Sequence, residues 1–268
     1  MHAAPTVTAR LSGIHPSAIV DPRAKLGAGV SIGPYTVIDG EVEIGEGTTV
    51  GAHNVITGRT RIGRDNRIFH FCSIGEANQD KKYQGEPTRV EIGDGNTIRE
   101  YVSIHRGTAQ DAALTKIGDD NWIMANCHIA HDCFVGDHTV LANFASLAGH
   151  VHIGDYATLG GFTGVHQFVK IGAHVMIAAA VVAFQDVPPY VTVGGIPPAP
   201  HGINAEGLKR RGFSADDIAA LKKAYRTLYK SGLSLEEARA ELERQAAASA
   251  PVRAMVDFLG TSTRGILR

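Results

Sequence analysis

The sequence predicts a mainly β protein: a parallel β-helix of hexapeptide repeats over residues 1–196, with a C-terminal α-helical domain over 197–268. Three observations predict it. Aliphatic residues recur at every sixth position through about two thirds of the chain. Glycine follows the aliphatic residue in many of these hexads, as in Ile32-Gly33, Ile62-Gly63 and Ile153-Gly154. The composition then changes, after Pro188-Pro189 and Pro197-Pro198, to alanine-rich charged sequence.

The first run of hexads steps from Ile14 through Val20, Leu26 and Ile32 to Ile74, and resumes in phase at Ile92, Ile98 and Ile104. A second run restarts at Ile117 and holds to Ile177. An amphipathic helix repeats near 3.6 residues and a half-buried strand near 2, so a period of six fits neither. It fits a coil of three hexads, each a short strand and a turn, that buries its aliphatic residues only by stacking on its neighbours. Glycine is expected to relieve the backbone at the corners. Two polar segments that break the period, about 75–91 and 106–116, are expected to loop out. In the C-terminal part, Ser214 with Asp217 and Ser234 with Glu237 have the spacing of helix-capping boxes.

Bulk properties narrow the class. A net charge of −1 gives no reason to expect nucleic acid as a partner. No apolar run approaches the ~20 residues that span a bilayer, and the start MHAAPTVTAR contains no hydrophobic stretch of signal-peptide type. Three cysteines, an odd and sparse set, fit a reducing cytoplasm better than a disulfide framework. The C-terminal 72 residues hold 12 Lys and Arg against 8 Asp and Glu, a basic excess suited to an acidic partner or simply to a solvated helical face.

The stretch NCHIAHDC at 126–133 concentrates chemistry. Cys127 and Cys133 fall at the fifth position of their hexads, a slot that elsewhere holds small residues such as Ala18, Val30, Thr139 and Ala145. They are therefore expected to face inward as small hydrophobes. His131, His150 and His166 belong to hexads that begin 18 residues apart, so their imidazoles are expected along one edge of successive coils, with His128 at the corner just before. Four histidines converging on one edge point to a site. A strip on a convex prism is open to water, so a neighbouring copy is expected to cover it, as in a cyclic trimer. With no outward nucleophile nearby, the chemistry expected is direct general-base transfer.

The motifs IGEANQDKKYQGEPTRVEIG at 74–93, SIHRGT at 103–108, HIAHDC at 128–133, LAGH at 147–150, GVHQF at 164–168, QDVPPY at 185–190 and GINAEGLKRRGFS at 202–214 resemble the UDP-N-acetylglucosamine O-acyltransferases that begin lipid A synthesis. The resemblance covers nearly the whole chain. It implies a left-handed β-helix, a homotrimer, and transfer of a 3-hydroxyacyl group from acyl carrier protein to the 3-hydroxyl of UDP-N-acetylglucosamine, without cofactor or metal. It further implies His131 as general base, Asp132 as its support and the Gly149 N–H as oxyanion donor. Asp80, Lys82, His128, His150 and His166 match substrate-contacting positions. Gln167, Asn204, Glu206 and Arg210 match positions that hold the nucleotide half or its phosphates. Met176, Ala178 and Ala179 match the stretch that closes the acyl groove, where glycine in place of Ala179 goes with longer chains.

Other classes remain open on the sequence. A γ-class carbonic anhydrase shares the prism and would use His128, His131 and His150 as zinc ligands. It leaves the helical domain and the basic cluster Lys209-Arg210-Arg211 unexplained. The later N-acyltransferase of the same pathway shares the hexads and a histidine base, and a non-catalytic scaffold would need only the prism.

Overall fold

A computed structural model describes residues 13–268. The start MHAAPTVTAR, where a signal segment was not expected, lies outside the described residues. Among these, 27 strands of two to five residues fall on three sheets of nine, eight and ten strands. We call them the first, second and third faces. As far as Val182–Ala183, each strand pairs in parallel with the one three places on, so that Ile129 is opposite Leu147, and Leu147 opposite Val165. The result is a left-handed parallel β-helix.

The hexad aliphatics form its axis. Ile32, Ile56, Ile74, Ile104, Ile129 and Leu147 are all fully buried in one continuous core, each contributing about 1.5–3 kcal/mol by leaving water. The fifth-position slot also points inward: Cys72, Cys127 and Cys133 are buried and unpaired. That slot is not uniformly apolar. Asn54, Asn66, Asn96 and Asn121 occupy it, buried, and their side-chain oxygens accept backbone N–H groups of the next coil at 2.7–2.9 Å. A buried amide is tolerated because it is hydrogen-bonded.

Some glycines serve another purpose than expected. Glycines that follow the aliphatic residue lie where coils touch: a β-carbon on Gly33 would meet the carbonyl carbon of Gly51 at 2.6 Å. The left-handed corner conformation falls to glycine at Gly29, Gly47 and Gly95, as expected, and elsewhere to larger residues, among them Tyr35, His53, Phe71, Tyr101, Asp132, His150, Phe168 and His174. Many of their side chains stack from coil to coil, as Tyr35 on His53 at 5.1 Å and Phe71 on Tyr101 at 5.2 Å. Contact along the corner compensates the roughly 1 kcal/mol cost of that backbone region.

The period-breaking segments loop out over narrower bounds than expected, because strands Ser73–Glu76, Arg89–Ile92 and Leu114–Ile117 extend into both. The segment after 196 first adds a strand, Ala199–Ile203, antiparallel to Val191–Gly194. Helices follow at α1 (Ala205–Arg210), α2 (Ala215–Lys230), α3 (Leu235–Ala246) and α4 (Ala250–Thr261). Both capping boxes form, on α2 and α3. Leu221, Leu228, Leu242 and Met255 make a second core. It is tied to the prism by Ser262 on Asp186 at 2.7 Å and Tyr225 on the Pro200 carbonyl at 2.9 Å. No helix among the described residues is long and apolar enough to cross a membrane.

Candidate active site

The corner between the first and second faces carries the candidate site. Strand His128–Ile129 lies between Ser103 and Ser146 in register, which places His128 on the first face. The chain then turns through His131 and Asp132, and one coil later through Gly149 and His150. The first excursion loop rises beside this corner and helps to line a cavity of about 600 Å³, with Asp80, Lys82, His128, His131, Gly149, His150 and Gln167 in its wall beside Gln79, His105 and Phe168.

At its centre His131 and Asp132 form a pair, Nδ1 to Oδ2 at 2.9 Å, with Asp132 fully buried. The carboxylate also accepts the Thr108 N–H at 3.0 Å and the Thr108 hydroxyl at 2.7 Å. Burial would raise its pKa, but the bonds from His131 and Thr108 prevail and hold it below the usual carboxylate value. An ionised Asp132 only accepts, so His131 donates from Nδ1 and its Nε2 lone pair is free to take a proton. That nitrogen lies over Gly149, where a β-carbon would come within 2.7 Å of it. The Gly149 N–H has no protein acceptor among the described residues.

A second tier of imidazoles surrounds the pair. His150 stands edge-on to His131 at 5.0 Å, stacks on Phe168 at 4.3 Å, and donates from Nδ1 to Asp111 at 2.6 Å. His128 bonds Ser103 at 2.8 Å, and burial beside His105 and His131 keeps it neutral to lower pH than an ordinary histidine. His105 donates from Nδ1 to the Ala77 carbonyl at 2.7 Å, joining the first loop to the site. The cysteine thiols, by contrast, are pushed up to about 12 by burial and are no nucleophiles here. Among the described residues, His131, Asp132 and His150 form the metal-capable group, their donor atoms within 4.8 Å of one another. The zinc reading of the sequence had His128 in the place of Asp132. Asp132 already takes three donors from Thr108 and His131, which suits an acid–base pair better than a cation.

Several expected residues lie elsewhere in the chain. His166 is near the same corner but does not line the cavity; its Nδ1 bonds the Gln167 carbonyl and its ring tilts toward Phe184. It falls second in its hexad and so stands one step before the turn that carries His131. Asn204 caps α1 and bonds the His174 carbonyl, and Glu206 pairs with Lys209, at the corner between the second and third faces. Arg210 is exposed on the same helix. Met176 pairs with Thr158 and Thr192 on the third face, and Ala179 is exposed at the corner beyond it. The hexad count does not single out Ser103, His105, Thr108 and Asp111. The 25-residue step from Ile104 to Ile129 hides their alignment with the next coil, although SIHRGT was a visible motif.

The family follows from comparison with known proteins. A relative from Thiobacillus denitrificans, an acyl-[acyl-carrier-protein]–UDP-N-acetylglucosamine O-acyltransferase, is 60% identical over 96% of this chain and 100% of its own length. The chain belongs to this O-acyltransferase family. The family model of the second domain of UDP-N-acetylglucosamine O-acyltransferases matches residues 186–267, and the bacterial transferase hexapeptide model matches 23–58 and 114–149. A relative of the same name from Halorhodospira halophila is 58% identical over the same share of both chains. Among solved structures, LpxA of Acinetobacter baumannii superposes with a TM-score of 0.93 at 48% identity, covering 95% of this chain and 99% of its own. That of Moraxella catarrhalis gives 0.94 at 45%, with the same coverage.

Proposed function

We infer that this O-acyltransferase moves an (R)-3-hydroxyacyl group from acyl carrier protein to the 3-hydroxyl of UDP-N-acetylglucosamine, the first step of lipid A synthesis. The observation that carries this reading is the His131–Asp132 pair facing the free Gly149 N–H, in a family of that activity. His131 Nε2 takes the proton of the sugar hydroxyl as its oxygen attacks the thioester carbonyl. The tetrahedral oxyanion accepts the Gly149 N–H. Collapse breaks the carbon–sulfur bond, and the His131 imidazolium returns its proton to the departing thiolate. Asp132 fixes the tautomer and supports the imidazolium. Asp80, Lys82, His128 and His150 are the substrate contacts of this reading, with Gln167 at the nucleotide side.

Asn204, Glu206 and Arg210 lie at a different corner from His131, which supports a trimer whose clefts combine one chain's His131 corner with the next chain's α1. His166, Met176 and Ala179 belong to the same expectation, as walls of a cleft completed by a neighbour. Three unpaired cysteines support a cytoplasmic setting. The deciding experiment is an assay with UDP-N-acetylglucosamine and a panel of 3-hydroxyacyl carrier proteins, reading product mass. Acylated nucleotide sugar is the expected product; its absence with every donor overturns the reading.

A further inference from the structure

The ring of His150 is fixed in plane but not in sense by its neighbours. Phe168 stacks on one face at 8° and His131 abuts its edge at 85°. Neither contact tells Nδ1 from the opposite carbon, so packing alone leaves the ring free to present either edge to the cavity. A hydrogen bond removes that ambiguity. Asp111 accepts from Nδ1 at 2.6 Å, whereas the nearest Asp132 oxygen is 3.9 Å from the same nitrogen, beyond bonding distance.

Asp111 stands at the tip of the second excursion loop, yet its backbone is not free. The Thr108 carbonyl accepts both the Asp111 N–H at 3.3 Å and the Ala113 N–H at 3.1 Å. Thr108 is also the residue whose N–H and hydroxyl hold Asp132. The Gly107 carbonyl is held by Asn78 from the first loop at 2.9 Å. A β-carbon on Gly107 would fall 2.8 Å from Asp132 Oδ1, so the loop approaches the catalytic pair as closely as backbone can. One short turn thus carries the groups that orient both imidazoles.

We infer that Asp111 is a positioning residue for the acyl transfer proposed above: it holds the Nδ1–H of His150 and leaves Nε2 as the nitrogen presented to a substrate oxygen. His131 and His150 then belong to two aspartate–histidine pairs whose rings stand nearly at right angles, both anchored by the loop 106–113. The Asp111 carboxylate is half exposed, so water screens its charge and the bond's direction matters more than its electrostatics.

Nitrogen-15 imidazole shifts of the unliganded protein, with His150 identified by its loss in His150→Ala, read the tautomer without any turnover. The Nδ1–H form is expected in the native protein and in Asp111→Asn, whose amide oxygen still accepts. A mixture of tautomers is expected in Asp111→Ala. In the acyltransfer assay Asp111→Ala should lower kcat/KM by about three- to tenfold, and Asp111→Asn by no more than about twofold. The loss should vanish when Asp111→Ala is made in a His150→Ala background. An Nε2–H tautomer in the native protein overturns the assignment. So does an equal loss in both backgrounds, or none at all. If the native protein makes no product with any donor, the acyltransfer reading fails while the tautomer result still decides the role of Asp111.

Discussion

The imidazole of His131 rests on the backbone of Gly149, 18 residues on, so closely that a β-carbon there would lie 2.7 Å from Nε2. The coil spacing brings the nitrogen proposed to take the proton beside an N–H that can receive the oxyanion. A Gly149→Ala variant must push the ring away from both. A displacement of about 1 Å at a reacting group costs on the order of 10²-fold in rate. Turnover is expected to fall by that order with a smaller effect on the melting temperature, because the atoms displaced belong to the His131 side chain and not to the aliphatic axis. Near-native kcat in Gly149→Ala would show that the ring does not work from this position.

His131→Ala removes the proposed base itself. The expected loss in kcat is about 10²-fold or more, with folding preserved, since the side chain contributes little to the buried axis. Steady-state kinetics beside a thermal melt separates the two effects. An acyl-enzyme trapped from the native protein would contradict direct transfer.

Asp80 lines the same single-chain cavity as His131, whereas Arg210 does not. Co-refolded mixtures of His131→Ala and Arg210→Ala chains should therefore regain activity, because about a quarter of the mixed clefts combine two native contributions. Mixtures of His131→Ala with Asp80→Ala should regain none. The reverse pattern would place α1 and His131 in one chain's site.

His174 offers a test through pH. Burial, with Arg211 nearby, lowers its pKa to about 4, and its Nδ1 has no hydrogen-bond partner among the described residues. Below about pH 6.5 the unfolded chain binds a proton that the folded chain refuses, so stability falls from there down to about pH 4. His128 and His152 are shifted the same way, chiefly by burial. His174→Phe keeps the stack with Tyr156 and Tyr190. It should flatten the decline by on the order of 1–2 kcal/mol, allowing for solvent screening at a half-buried site. Denaturant midpoints at pH 7 and pH 5 measure it; an unchanged slope would assign the decline to other groups.

Ala179 tests the acyl groove. A methyl group in a close-packed wall takes the room of a terminal methylene, and overpacking costs roughly 1–3 kcal/mol. Ala179→Gly should raise the product mass by one or more two-carbon units when donors of several lengths compete. An unchanged profile would make Ala179 ordinary corner surface.

The prism was legible because its signal is local and repeated. Ile129, Leu147 and Val165 each declare the same inward direction, and the two capping boxes declare helices from four residues each. His131, His150 and the inward cysteines followed from the same count. The loop residues did not, because segments that break the period carry no register. Thr108 and Asp111 are 24 and 39 residues from the partners they hold, and no spacing rule connects them.

The coil follows from the repeat alone, since an aliphatic residue at every sixth position is buried by a stacked three-sided arrangement, and the motifs mark the family. Tertiary structure alone decided which polar groups meet. It put Asn204 on a different corner from His131 and seated Gly149 beneath the imidazole. It also folded one loop so that Thr108 and Asp111 each meet a partner. Those relations depend on how far each turn carries the chain, and a hydrogen bond decides them within a few tenths of an ångström, finer than any repeat can specify.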